Sequence, residues 1–182
     1  MVSSMKNHTF IFAALLAAGP MALSAMKTNA ADSAPTDPQI AMIAVTADSI
    51  DIDAGKLAAE KSSNPKVKEF AEMMIRDHTS VNKKATDLAK KLNVTPEESD
   101  TSRSLKADAD KNLEKLRGMN GAEFDKAYID NEVAYHEAVI KVVTGTLIPN
   151  TKNAELKKLL ESAGPIFSSH LTHAKEVQSS LK

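Results

Sequence analysis

The chain contains no cysteine and no tryptophan. Without cysteine there can be no disulfide, thiol nucleophile, thiolate metal ligand or acylated lipoprotein cysteine. Aromatic residues make up only 4% of the chain. Beyond residue 30 they are Phe70, Phe124, Tyr128, Tyr135 and Phe167, too scattered to build a base-stacking platform. Neither sign of charge dominates, and the formal net charge is -1. Residues 1–30 hold Lys6 and Lys27 and no acid, so 21 basic residues face 24 acidic ones in the remainder, a balance of -3. That leaves no basic footprint, and nucleic acid is not an expected partner. Gly-rich phosphate loops, strand alternation, low-complexity runs and the GxSxG and HExxH patterns are also missing. A hydrolase or oxidoreductase therefore has no motif behind it, and enzymatic activity is the weakest functional reading.

Long apolar runs are scarce too. The one present, Phe10 to Ala25, is broken by Gly19-Pro20 and falls short of the ~20 residues of a membrane span. It follows an acid-free start carrying Lys6 and precedes small residues at Ala25, Ala30 and Ala31. This is the tripartite pattern of a secretory signal peptide, with Thr28-Asn29-Ala30 as a usable cleavage site. Residues 1–30 read as a signal peptide, 31–37 as a mobile leader and 38–182 as one helical domain. The expected address is the periplasm or the exterior, with no transmembrane anchor after cleavage. About 150 residues suffice for one domain with a real core.

What the chain does have is helical periodicity. From Pro65 to Leu92, steps of four and three give Val67, Ala71, Met74, His78, Val81, Ala85, Leu88 and Leu92, an apolar seam whose only ionisable member is His78. An earlier helix starts at a Thr36 or Asp37 cap with Pro38 in the first turn. Its seam reads Ile40, Ile43, Ala47, Ile50, Ala54 and Leu57, with Asp48, Asp51 and Asp53 at the flanks and Asp51 bordering the buried side. Ser62-Ser63-Asn64-Pro65 joins the two in a tight hairpin. Ser99 or Asp100 opens a charged helix with a thin stripe, Leu105, Ala109, Leu113 and Leu116, closed by Gly118. It reads as a short surface helix or crossover. The next helix begins at Asn120-Gly121 and reaches about Leu147, with Asp125, Tyr128, Glu132, His136, Val139 and Val143 on one face. The last carries Leu156, Leu160, Ala163, Phe167, His170, Ala174, Val177 and Leu181, and Gly164-Pro165 is expected to kink or break it. Four long helices, tight hairpins and one longer connection describe an all-α, ferritin-like up-down four-helix bundle with one crossover containing a short extra helix.

Three blocks of residues carry a resemblance. Lys56-Leu57-Ala58 runs on to Asn64, Val67-Lys68-Glu69-Phe70-Ala71, Met74 and Asp77-His78. Phe124-Asp125-Lys126-Ala127-Tyr128 precedes His136, and Pro165 precedes His170-Leu171. Together these resemble an exported bacterial family of unknown function grouped with ferritin-like bundles. The Asp-His pair after Phe-Ala-x-Met is the most specific part. The resemblance implies a ferritin-like fold and export, and it brings no activity.

Metal-binding ferritin-like proteins use inward Glu residues and a Glu-x-x-His step. Here Ile75, Val133 and Phe167 stand three before His78, His136 and His170, so the di-iron carboxylate set is absent. At ~1.5 Å of rise per residue, His78, His170, Asp51, Asp125 and Tyr128 are expected at one level, with His136 about two turns higher and Glu132 between. Such buried groups must find mates, at roughly 1–3 kcal/mol for each left unpaired. In one reading they hydrogen-bond among themselves as a structural polar layer that fixes helix register. In the other, His78, His170, Asp51, Asp125, Glu132 and His136 supply ligands for one divalent ion, Zn, Fe, Mn or Cu. The two functions in contention are an exported bundle binding a metal or small ligand, in envelope stress, and a non-catalytic structural or interaction protein of the envelope. An envelope protein or a second copy of the chain is the expected partner in the latter.

Overall fold

In the computed structural model, residues 34–181 are described, and they are built from helices without a strand among them. The expected signal peptide, residues 1–30, and residues 31–33 of the expected leader lie outside the described residues. Helix α1 spans Asp37–Lys61. It opens with a capping box: the Thr36 hydroxyl accepts from the Gln39 amide while the Gln39 side chain accepts from the Thr36 amide. Helix α2, Pro65–Lys91, is capped by Asn64 and follows a link of three residues. Helix α3 is Asp100–Arg117, capped by Ser99 and ended at Gly118. Helix α4 is Gly121–Val142, followed by a π-helical turn at Val143–Leu147 and a short α5 at Ile148–Asn150. Helix α6, Ala154–Ser180, completes the fold.

The helices α1, α2, α6 and α4 form a ring, each packed on the next, with α3 along the outside of α1. Two tethers fix the chain's direction. The Glu97 amide donates to the Pro38 carbonyl, so α2 ends beside the start of α1. Lys61 Nζ donates to the Arg117 carbonyl at 2.6 Å, so α3 ends beside the end of α1. The α3 segment thus returns the chain to the first-hairpin end, and α4 descends from there. At the opposite end, the Asp37 carboxylate accepts from the Lys152 and Asn153 amides and pins the start of α1 to the start of α6. The all-α up-down bundle with a crossover helix is thus observed.

The apolar interior is divided in two. Near the first hairpin, Phe70, Met74, Phe124, Tyr128, Ile129 and Val177 pack with alanines of α1 and α2. At the other end Ile40, Ile43, Val81, Leu147, Leu156, Leu160 and Phe167 form a second cluster. Between them every buried charge-capable side chain except Asp125 is found: Asp48, Asp51, His78, Glu132, His136 and His170. Gly55 lets α1 and α2 approach closely, for a methyl group on it would lie 3.0 Å from the Ala71 carbonyl oxygen and 3.1 Å from Ile75.

Three local expectations are corrected. First, α1 turns Asp48 and Asp51 inward, whereas Ala47 and Ile50 on its expected seam are only half-buried. The buried stripe runs one residue later, because the carboxylates meet imidazoles. Second, α6 continues through Pro165 without a break. Pro165 and Glu161, whose carbonyl loses its amide partner, both lie on the exposed face, where water satisfies the free oxygen. Third, the helical run of α4 does not stop at Leu147 but widens into the π turn and carries on past Pro149, which has no N–H to give.

Candidate metal centre

Each of three helices delivers one histidine to the middle of the bundle because each has nearly the same run from its end. His78 is thirteen residues after Pro65 on α2, His136 fifteen after Gly121 on α4, and His170 sixteen after Ala154 on α6. His136 was expected about two turns above the others. It is level with them, since α3 carries the chain back and α4 starts at the same end as α2. The ring centroids are 5.1 Å apart for His78–His170, 5.5 Å for His136–His170 and 5.7 Å for His78–His136. All three residues are 1% exposed.

Every ring has one nitrogen held by a fixed acceptor. His78 Nδ1 donates to Asp48 Oδ1 at 2.8 Å. His136 Nδ1 donates to the Glu132 carbonyl at 3.0 Å, and His170 Nε2 donates to Asp77 Oδ2 at 3.1 Å. These acceptors assign the tautomers and leave lone pairs on His78 Nε2, His136 Nε2 and His170 Nδ1. Those same three nitrogens are buried and have no hydrogen-bond partner among the described residues. Orientation of a ligating imidazole by a carboxylate or carbonyl on its far nitrogen is the usual arrangement in metal sites.

Two carboxylates complete the layer. Asp51 Oδ2 is 3.5 Å from His78 Nε2, and Glu132 Oε2 is 3.6 Å from His136 Nδ1. Asp51 Oδ1 and Glu132 Oε2 are also orphaned. Burial pushes the Glu132 carboxyl up to about 8, although its hydrogen bond with Asp51 acts against that. Burial, together with the charges of Glu132 and Asp48, raises Asp51 well above the usual carboxylate range. Asp48 is raised by burial, and His78 pulls it back. Burial pushes His136 down to about 3, helped by His78, and lowers His170 despite Asp77. Neutral imidazoles, as a metal requires, are therefore the resting form of these two rings.

Donor atoms of His78, His136 and His170 lie within 4.8 Å of one another, as do those of Asp51, Glu132 and His136. Bonds of ~2.0–2.2 Å to a common ion put its ligand atoms no more than ~4.4 Å apart, so the set fits after a small inward closure. His136 belongs to both groups, and a neutral ring has a single lone pair. The layer therefore holds two ligand triads that meet at His136, one of three imidazoles and one that adds the Asp51 and Glu132 carboxylates.

Of the six residues singled out in the sequence, five converge here: His78, His136, His170, Asp51 and Glu132. Asp125 does not. It is buried, but it sits eleven residues before His136 on α4, roughly 16 Å along the axis at the helical rise. Two residues were overlooked, Asp48 and Asp77, which orient His78 and His170. Asp77 was part of the Asp-His motif, but nothing in the sequence pairs it with His170. Asp48 stands on the same inward stripe of α1 as Asp51, one residue beyond the expected seam position Ala47. Tyr128 and Tyr135 flank the layer, both raised by burial and by the carboxylates. Tyr135 donates to the Ala47 carbonyl at 3.1 Å, while the Tyr128 hydroxyl has no partner.

Among solved structures, "CopM in the Cu(II)-bound form" is similar with a TM-score of 0.62 at 17% identity, covering 82% of this chain and all of that one. "CopM in the Ag-bound form (by co-crystallization)" is similar with a TM-score of 0.62 at 19% identity, covering 80% of this chain and 97% of that one. At such identities the likeness shows the helical fold alone. No curated protein matches the chain. Residues 22–177 match the family described as a domain of unknown function, DUF4142, and the chain belongs to that family.

Proposed function

We propose that this protein is an exported helical bundle that binds one transition-metal ion at the buried layer of His78, His136 and His170, with Asp51 and Glu132 as carboxylate ligands. A single observation carries the reading. Imidazoles from three helices bring donor atoms within 4.8 Å of one another, and each ring has one buried nitrogen without a partner while its opposite nitrogen is clamped. A purely structural polar layer accounts for the clamped nitrogens and leaves the convergent ones orphaned, at roughly 1–3 kcal/mol each. One ion would satisfy them all.

Imidazole and carboxylate donors suit Zn, Cu, Fe or Mn in the divalent state. Two ionised carboxylates would neutralise such an ion within the low-dielectric interior. The copper- and silver-bound neighbours of the same fold are in keeping with metal binding but do not carry the argument. Export rests on the signal-peptide pattern of residues 1–30, and no helix of the described residues is long and apolar enough to cross a membrane.

Metal analysis of protein purified without a histidine tag tests the proposal, alongside His78→Ala. The expected result is about one equivalent of a divalent metal retained by the parent and little by the variant. Absence of retained metal, with no thermal shift on adding Zn, Cu, Fe or Mn, refutes the reading and leaves the structural layer.

A further inference from the structure

We infer that the metal passes in and out of the core at the Asp77–His170 contact, and that Arg76 controls the rate of that passage; the inference rests on the metal-binding reading above. The three histidine clamps differ in their access to water. The Asp48 carboxylate behind His78 is 3% exposed. The clamp on His136 is a backbone carbonyl inside α4. Asp77, behind His170, has a side chain 28% exposed. It is the one clamp of the three that touches bulk solvent.

The other walls of the site are closed by packing or by bonds between helices. Phe167 stacks on His78, with ring centroids 5.4 Å apart and planes at 7°. Asn82 Nδ2 donates to Ser49 Oγ at 3.2 Å across α1 and α2. Tyr135 ties α4 to the Ala47 carbonyl of α1. Phe167 cannot leave without emptying packed volume, and the Asn82 and Tyr135 bonds, although single bonds between helices like that of His170, hold none of the three ligating rings. Opening at His170 breaks one side-chain hydrogen bond, that from Nε2 to Asp77, and turns one ring.

The chemistry at that point suits the capture of a cation. A turned His170 offers its free Nδ1 lone pair beside a carboxylate already at the surface. Together they make a first imidazole–carboxylate pair for a partly hydrated ion. Return of the ring carries the ion to His78 and His136. Arg76 holds this device shut. Its Nε donates to Asp77 Oδ1 at 2.9 Å and its Nη2 to Oδ2 at 3.4 Å, and the latter oxygen also accepts from His170. The grip fixes Asp77 on the ring, and the guanidinium charge opposes an approaching cation.

Cobalt(II) is the probe, because its visible absorption reports occupancy directly in stopped-flow mixing, and a chelator jump reports release. Full-length parent, Arg76→Ala, Arg76→Lys and Asn82→Ala proteins are compared. Arg76→Ala should load and release cobalt about threefold to tenfold faster, the size expected for one partly screened surface charge plus a lost bidentate grip. Its Kd should move less than either rate. Arg76→Lys, which keeps the charge but not the fork, should fall between, and Asn82→Ala should exchange at the parent rate. Unchanged rates in Arg76→Ala, or acceleration in Asn82→Ala instead, overturn the inference while cobalt binding by the parent leaves the metal site standing. Failure of the parent to take up cobalt overturns this route, and failure to take up Zn, Cu, Fe or Mn as well sinks the metal site with it.

Discussion

Asp48 Oδ1 accepts a 2.8 Å hydrogen bond from His78 Nδ1 across the α1–α2 interface, with both side chains at most 3% exposed. The bond fixes the tautomer of His78 and leaves its other nitrogen without a partner, in a ring 5.7 Å from that of His136 and 5.1 Å from that of His170. An acceptor in this position also raises the basicity of the imidazole, and its loss in known metal sites costs ~10–100-fold in affinity. Asp48→Asn should therefore weaken metal binding by about that factor without abolishing it. Competition against a chromophoric chelator measures the change. Affinity equal to the parent's would mean that Asp48 has no part in orienting the ring.

Asp125 and His136 share a helix and a buried face, but they should behave oppositely. His136→Ala removes the donor common to both ligand groups, and metal stoichiometry should fall to near zero. Asp125→Asn acts roughly 16 Å away along the helix and should leave affinity within about twofold. Parallel titrations of the two variants settle the comparison, and a large loss in Asp125→Asn would contradict the placement of the site.

Metal-free protein should lose stability as pH rises from 6.5 to 8. Glu132 keeps its proton in the fold up to about 8 but releases it near 4.5 when unfolded. Over that interval the native state binds more protons, so stability falls with pH. His136, pushed down to about 3 from 6.5, works in the opposite direction between those values and offsets part of the effect there. Above 6.5 that opposition fades as the unfolded imidazole loses its proton, and the carboxyl prevails. Denaturant midpoints of apo protein at pH 6.5 and 8 should show the lower value at 8, and a rise would contradict a neutral Glu132.

A bound ion that recognises only the native state adds stability by mass action. At a free concentration one hundred times Kd the gain is about 2.7 kcal/mol. Zinc or copper should therefore raise the unfolding free energy of the parent by that amount, and a chelator should return it to the apo value. His170→Ala should show no such gain at the same metal concentration. An equal gain in His170→Ala would point to binding elsewhere.

Gly55→Ala sets a helix-propensity gain of ~1 kcal/mol against a methyl group pressed on backbone. The Ala71 carbonyl oxygen at 3.0 Å cannot move without shifting α2. Steric cost should win, with a net loss of about 1–2 kcal/mol in denaturant unfolding. Gly121→Ala should cost about 1 kcal/mol for another reason, since Gly121 has a φ of +56° with open space around it. Stabilisation by Gly55→Ala would show that α1 and α2 separate more easily than their contact implies.

The sequence by itself determined the helices and, outside α1, their buried faces, since seams at three- and four-residue spacing and the caps Thr36, Asn64 and Ser99 are local features. It also placed His78 and His170 in core slots, because no other residue of those seams can ionise. The level of His136 was decided by tertiary structure. It depends on α3 running back the full length of α1, and no periodicity within α4 carries that information. Tertiary structure likewise chose Asp48 and Asp51 over Ala47 and Ile50 as the inward stripe of α1. Asp48 finds in His78 a hydrogen-bond partner that an apolar side chain could not use. The clamps on His78 and His170 come from α1 and α2, 30 and 93 residues distant in the chain. Which ring nitrogen is held and which is left free is therefore a property of the packed bundle, where side chains remote in sequence are forced to share one dry layer.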